Sequence, residues 1–368
     1  MSTTQTITHT LASTTLRGRD PSPDASSSKL LRQPLELTGA LDQFKPRDLT
    51  PVLGAQFASG VQLPDLLEAE NADEVLRELA VLVSRRNVVF FKSQTRALTN
   101  DEIKLLANKL GALSGRPQDA GLHIHPTEHI PDSELSPITT SFIKRKPGMS
   151  LLASRGWHTD VSFEPFPSGY AILNMHTLPT NEQGEYLGGD TIWASAYEAY
   201  DRLTPSMQKF LEGLTAVHDG NGFHNRAAAL GIKVHEGPRG HPDNVGADLS
   251  AVHPVIRTDP ITGWKGLFVN PAFTKRIVEL NKDESDVLLA YLYRITVDNH
   301  DLQVRFRWDL NDVAIWSNTS SQHNVTVDYA GLDVRKGNRT VSVGERPYFD
   351  PASRSRREAL GLEPWISD

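Results

Sequence analysis

From about residue 120 to residue 344, this chain of 368 residues is a succession of short β-rich runs separated by Gly, Pro and Asn clusters. The runs fall at 138–144, 157–163, 168–178, 189–195, 264–270, 302–307, 312–318, 323–329 and 338–344. So many short strands leave too many open edges for one flat sheet, and they predict a sandwich or barrel. Two helices interrupt the runs. Thr204 caps one, with Pro205 in its first turn, and the other is expected over about 284–298, with Val287, Leu288, Tyr291, Leu292 and Ile295 facing inward.

Upstream the pattern is helical. Asn71-Ala72-Asp73-Glu74 reads as a capping box, followed by Val75, Leu76, Leu79, Leu82 and Val83 at helical spacing. Asn87 ends that helix, and Val88-Val89-Phe90-Phe91 predicts a buried strand. Thr99 to Glu102 forms a second capping box, opening a helix with Ile103, Leu106 and Leu110 that Gly111 is expected to stop.

The ends differ from the body. Residues 1–28 contain 13 Ser or Thr and little apolar clustering, too little buried surface to offset the entropy of ordering. A flexible tail over 1–45, one domain over 46–350 and a C-terminal tail over 351–368 are expected. Residues 219–250, rich in Gly, His, Asn and Asp, predict a lid or insert. A cytoplasmic location is expected; Arg17 and Arg19, in a stretch free of acids before Asp20, are the one feature that resembles an organelle transit peptide.

The net charge of −7, from 38 basic and 45 acidic residues, argues against a nucleic-acid partner. No apolar run approaches the roughly 18 residues that suggest a membrane span, and no membrane partner is expected. The chain has no Cys, so thiolate metal sites, iron–sulfur clusters and Cys nucleophiles are excluded, whereas its 13 His leave metal binding by imidazole and carboxylate open.

Within Gly156-Trp157-His158-Thr159-Asp160-Val161, the alternation of a strand would put His158 and Asp160 on one face. The segment Ile315 to His323 runs from a hydrophobic strand through a polar turn to a third possible ligand, His323. Two His and one carboxylate on one face of an iron(II) leave the opposite positions open. An HxD pair alone is also what a solvated surface strand produces. Its company here is Arg335 and Arg339, whose guanidinium forks suit carboxylate and sulfonate groups.

Over roughly residues 50–350 the chain resembles the taurine/2-oxoglutarate dioxygenase (TauD/TfdA) family. The resemblance rests on Val88 to Phe91, Leu122-His123-Ile124-His125-Pro126, Trp157 to Val161, Gly188-Gly189-Asp190-Thr191-Ile192-Trp193, His253 to Thr258, Leu267 to Asn270, and Arg339 to Gly344, in that order. It implies a mainly β fold with flanking helices, a double-stranded β-helix or jelly-roll barrel of the cupin type. It implies Fe(II) on His158, Asp160 and His323, with 2-oxoglutarate and O2 as cosubstrates. Thr191 and Arg335 match the pair that anchors the far carboxylate of 2-oxoglutarate. His125, the Val161 N–H and Arg339 match the group that holds a sulfonate. His253 and Asn270 are expected to be structural, His123 to be packed through hydrogen bonds, and Phe163 to line the substrate pocket.

The reaction implied is oxidative decarboxylation of 2-oxoglutarate to succinate and CO2, coupled to hydroxylation. A sulfonate hydroxylated beside sulfur collapses to an aldehyde and sulfite. Asp160 favours hydroxylation, because related halogenases lack this carboxylate. The taurine enzyme carries Asp and Asn just before its Trp-His motif. Here Ser154-Arg155-Gly156 stand there, with Lys144, Arg145 and Lys146 upstream, an unhelpful approach for an ammonium. An alkyl or other sulfonate, or a sulfate ester, is therefore expected over taurine. The alternatives are the same chemistry on a carboxylate, such as an aryloxyalkanoate or a secondary-metabolite intermediate, and a non-enzymatic jelly-roll binding protein. The partner expected is a small anionic substrate, and a homo-oligomer is compatible with the sequence.

Overall fold

The computed structural model describes residues 31–127, 132–140, 152–329 and 334–365. A seven-stranded sheet has the order Arg47–Asp48, Ala55–Phe57, Val88–Phe91, Val313–Ser317, Ser168–Thr177, Arg335–Val343 and Ser136–Thr140. Its pairs are antiparallel except Ala55–Phe57 with Val88–Phe91. A three-stranded sheet of Gln303–Phe306, Thr191–Ser195 and Ser321–Val325 faces it. A second three-stranded sheet joins Thr274–Ile277, Thr215–Asp219 and Ser250–Pro254. The fold is mainly β with helices, as expected from the punctuated runs.

Alternation along the large sheet decides what each face covers. Val89, Phe91, Ile172, Val313 and Ile315 point to the helices Ala72–Arg86 and Asn100–Leu113, where they meet Leu76, Leu79, Leu106 and Leu110. Val88, Phe90, Leu173, Ala314 and Trp316 point the other way, onto Trp193, Val304 and Phe306 of the three-stranded sheet. Phe90 stacks on Phe306 with ring centroids 4.0 Å apart, and Trp193 meets the edge of Trp316 at 5.7 Å. These aromatic contacts fill the space between the sheets.

Several local expectations hold. Thr99 and Glu102 form both bonds of a capping box, Thr204 accepts the Met207 N–H, and Asn87 ends its helix in a positive-φ conformation. Others do not. Asn71 stands at the predicted N-cap, but its side chain makes no capping bond. Gly111 lies inside its helix, which continues to Leu113. A Cβ at Gly111 would come within 2.3 Å of Ser342 Oγ and 2.8 Å of Arg116 Cδ, so close packing of helix on strand explains this glycine. The helix Lys282–Val297 buries Leu289 and Leu292, while Val287 is 73% and Tyr291 43% exposed, so its inner face is rotated from the expected one. Outside the core, an apolar periodicity shows that a stripe exists without saying what covers it.

The run 157–163 is not a strand. His158 makes a single β-bridge and the chain then turns at Asp160 to Phe163. At the ends, residues 31–45 include a buried Leu41 and a Leu35 N–H donating to Ile261 O. Residues 351–365 include the short helix Arg356–Ala359, with Arg356 buried. Residues 1–30 and 366–368, and Lys144, Arg145 and Lys146, lie outside the described residues.

Gly111→Ala should lower unfolding free energy by about 1–3 kcal/mol, as expected for an overpacked contact. Helix propensity alone would raise it by roughly 1 kcal/mol. Urea denaturation reads the sign directly; a stabilised variant would mean that the helix is free to shift away from Ser342.

Candidate active site

Two backbone hydrogen bonds create the site. The His158 N–H donates to His323 O at 3.0 Å, and the His323 N–H donates to His158 O at 2.8 Å. The pair is directly opposed, so both imidazoles leave the same side with ring centroids 4.2 Å apart. His323 sits in the strand Ser321–Val325, in register with Trp193, and Trp316 packs on its ring at 4.9 Å.

Asp160 arrives by a different route from the strand alternation expected. The chain turns, Val161 takes φ 49°, and the Asp160 N–H donates to Asn318 Oδ1 at 3.1 Å. A β-branched residue in the left-handed region is strained, and such strain concentrates at functional sites. It also turns the Val161 N–H out of any regular ladder, and that group meets no acceptor among the described residues.

His158, Asp160 and His323 offer ligand atoms that all lie within 4.8 Å of one another. Each imidazole Nε2 stands 3.8 Å from an Asp160 oxygen. His158 Nδ1–H donates to Gly156 O at 2.8 Å, which leaves Nε2 with its lone pair toward the centre. Burial, reinforced by His158, lowers the His323 pKa to about 3, so its imidazole is neutral and able to ligate. Burial alone would raise the Asp160 pKa, but Arg339 and the two imidazoles outweigh it and bring it down to about 2. The donor set is two neutral imidazoles and one carboxylate, which fits a divalent metal with open positions.

The strand Arg335–Val343 supplies two guanidinium groups. Arg335 is buried beside Trp308; its Nε donates to Gly189 O at 2.9 Å and its Nη2 to Thr191 Oγ1 at 3.4 Å. Among the described residues it forms no ion pair, and burial lowers its pKa to about 10. A buried cation without a counterion suits an incoming carboxylate. Gly189 has φ 72°, and a Cβ there would meet Arg335 Cδ at 2.8 Å, so this glycine makes room for the arginine. Arg339 places Nη1 2.6 Å from Asp160 Oδ1, and its buried Nε has no partner among the described residues. It therefore braces the Asp160 carboxylate.

His125 Nδ1 accepts the Thr127 N–H at 3.2 Å and lies 3.0 Å from Thr127 Oγ1, an arrangement that leaves Nε2 to carry the proton of the neutral ring. Burial, with Arg339 next, holds its pKa well below the ordinary value. Phe223 meets the His125 ring at 4.8 Å, Phe273 meets His158 at 6.1 Å, and Phe163 lies 5.5 Å from Phe223 and 5.2 Å from Phe273. Phe163, Phe223 and Phe273 thus form an aromatic wall beside the triad.

All eight predicted site residues are described, and the triad, Arg339 and His125 come together, while Thr191 and Arg335 meet each other. His123 and His253 are buried and bonded to Glu164, and Asn270 to Ser162, as expected of packed polar groups. His218 and His241, in or beside the polar 219–250 segment, are buried. Sequence reasoning missed Asn318, whose Oδ1 also takes the Trp316 indole N–H at 3.2 Å and whose Nδ2 lies 3.5 Å from Asp160 Oδ2. The polar turn before His323 was its only signal.

Residues 45–341 match the taurine catabolism dioxygenase TauD, TfdA family. The chain is 42% identical over 367 residues to the alpha-ketoglutarate-dependent dioxygenase esdpJ of Penicillium shearii, covering 90% of this chain and 97% of that one. It is 34% identical to the alpha-ketoglutarate-dependent sulfonate dioxygenase of Saccharomyces cerevisiae, over 84% of this chain and 69% of that protein. A crystal structure of a taurine dioxygenase from Burkholderia xenovorans is similar with a TM-score of 0.64 and 27% identity, over 84% of this chain and 92% of that one.

Asn318→Ala should weaken Mn(II) or Fe(II) binding by about 10–100-fold, the usual effect of losing a group that orients a metal ligand. Metal titration followed by calorimetry checks this, with Asp160→Ala as the reference for complete loss.

Proposed function

The chain belongs to the taurine catabolism dioxygenase (TauD, TfdA) family, and from that premise we propose that it hydroxylates a sulfonate or sulfate ester at the carbon beside the heteroatom. The protein is an alpha-ketoglutarate-dependent dioxygenase, an oxidoreductase that uses Fe(II), 2-oxoglutarate and O2. In this reading the two facing sheets are the walls of a double-stranded β-helix within a single domain over 46–350. Residues 219–250 cover its open end, and the enzyme works in the cytoplasm.

His158, Asp160 and His323 hold the iron, which when bound supplies oxygen activation and the oxidative decarboxylation of 2-oxoglutarate to succinate and CO2. Arg335 and Thr191 hold the far carboxylate of the keto acid. Arg335 is preorganised for this by Gly189 O, and binding gives it the counterion it lacks. Arg339, the His125 Nε2–H and the Val161 N–H hold the anionic head of the substrate. One oxygen atom of O2 enters succinate and the other replaces a C–H with C–OH. For a sulfonate, the C–S bond then breaks as the hydroxyl loses its proton, giving an aldehyde and sulfite.

The observation that carries the sulfonate reading is the His125 tautomer. With Nδ1 engaged by Thr127, the ring offers a donor, so the pocket has three kinds of donor for an anion. A sulfonate has three oxygens to match them, and a carboxylate has two. The aromatic wall of Phe163, Phe223 and Phe273 supports an apolar body on that anion and gives no acidic partner to an ammonium.

Iron-loaded protein with 2-oxoglutarate and a panel of alkyl sulfonates should release succinate and sulfite together. Succinate formed on carboxylates with no sulfite from any sulfonate would replace this reading with the carboxylate one. Arg335→Leu should weaken 2-oxoglutarate binding by about 2–5 kcal/mol with the metal retained. Arg339→Leu should raise the sulfonate KM and also weaken the metal, because it removes the brace on Asp160. His125→Ala should raise the sulfonate KM and leave the keto-acid KM within twofold; steady-state kinetics in each substrate separates the two.

A further inference from the structure

Glu164 lies four residues beyond Asp160 and is fully buried, yet the chemistry above does not use it. Its carboxylate takes a two-pronged contact from Arg239, through Nε and through Nη2, the latter at 2.9 Å. His123 Nε2 donates to the same carboxylate at 3.2 Å. The Glu164 backbone O also accepts from His253 Nε2 at 3.0 Å. Burial would raise the Glu164 pKa, but the bonds from Arg239 and His123 hold it lowered, so the group is an anion paired with a buried cation.

The three groups belong to three different segments. Glu164 continues the turn that carries Asp160 and Val161. His123 stands two residues before His125. Arg239 belongs to the 219–250 segment, whose helix Gly222–Ala229 carries Phe223 onto the His125 ring. Two backbone bonds run alongside: the His235 N–H donates to Pro126 O at 2.8 Å, and the Gly121 N–H to Gly240 O at 2.7 Å. Gly240 has φ 81°, and a Cβ there would sit 2.5 Å from Leu122 O, so this approach demands glycine. Arg239 Nη1 also donates to His235 O and Gly246 O, which ties down its own loop.

We propose that Glu164, with Arg239 and His123, is a positioning device that fixes the 219–250 segment against the two chain segments that carry His125 and Val161. Arg335 and Thr191 lie on other elements, so the keto-acid anchor is outside its reach. The device therefore sets prime-substrate recognition and leaves cosubstrate recognition alone. It rests on the sulfonate reading only for the choice of probe.

The test uses the full-length, iron-loaded protein and the variants Arg239→Met, Arg239→Lys and Glu164→Gln. Hydrogen exchange in 222–229 should quicken at least tenfold in Arg239→Met, with the 2-oxoglutarate KM in substrate-free turnover held within twofold. With hexane-1-sulfonate as probe, KM should rise at least tenfold and kcat change less. Arg239→Lys keeps the charge without the fork and should recover part of both effects. If Arg239→Met does not fold, Arg239→Lys and Glu164→Gln carry the same comparisons. Unchanged exchange in 222–229, or equal loss of keto-acid and sulfonate recognition, would overturn the device. A wild type that releases no sulfite counts against the sulfonate reading alone, and exchange with the cosubstrate KM then decides the device.

Discussion

The reciprocal backbone bonds between His158 and His323 are the constraint on which the rest of the site depends. They join positions far apart in the sequence and give both imidazoles one direction. Directly opposed residues in a hydrogen-bonded antiparallel pair cannot slip by one place without turning a side chain to the other face. The register is in turn held by Trp193, opposite His323 and packed on Phe90 and Trp316. The aromatic core between the sheets thus aligns the two imidazoles, and the geometry of the candidate triad inherits the rigidity of that core.

Charge balance in this buried space follows from the same placement. Asp160 is surrounded by Arg339 and two neutral imidazoles, and its carboxyl stays ionised despite burial. Among the described residues Arg335 has no such partner and is held by carbonyl, hydroxyl and ring contacts. A buried charge of this kind is costly in the free protein and becomes favourable once a carboxylate arrives. Glu164 and Arg239 solve the opposite problem: both charges are present from the start, and their contact, with His123 on the same carboxylate, fastens three chain segments. One strand, one turn and the 219–250 segment, far apart in the sequence, therefore hold Arg335, the braced Asp160 carboxylate and the closed Glu164–Arg239 ion pair.

Three of the local expectations that failed share one cause. Gly111 reads as a helix stop because glycine lacks helix propensity, yet here it is the one residue thin enough to pass Ser342. The helix Lys282–Val297 carries an apolar stripe, but Val287 and Tyr291 face outward because the neighbouring sheet covers Leu289 and Leu292. The 157–163 run has the composition of a strand and makes only one bridge, because Asn318 captures the Asp160 N–H and the chain turns. In each case a contact distant in sequence outweighed a local preference.

The sequence by itself determined the kinds of group available. The lack of Cys left His and carboxylate as metal donors, the punctuated β runs set the fold class, and ordered motifs marked His158, Asp160, His323, Thr191, Arg335, Arg339 and His125. Tertiary structure alone decided how those groups are used. It set His125 Nδ1 against Thr127, turned Arg339 onto Asp160, left Arg335 without an ion pair among the described residues, and brought Arg239 to Glu164. Residue type and short-range periodicity are written along the chain, whereas ionisation, tautomer and pairing depend on burial and on neighbours that only folding brings within hydrogen-bond reach.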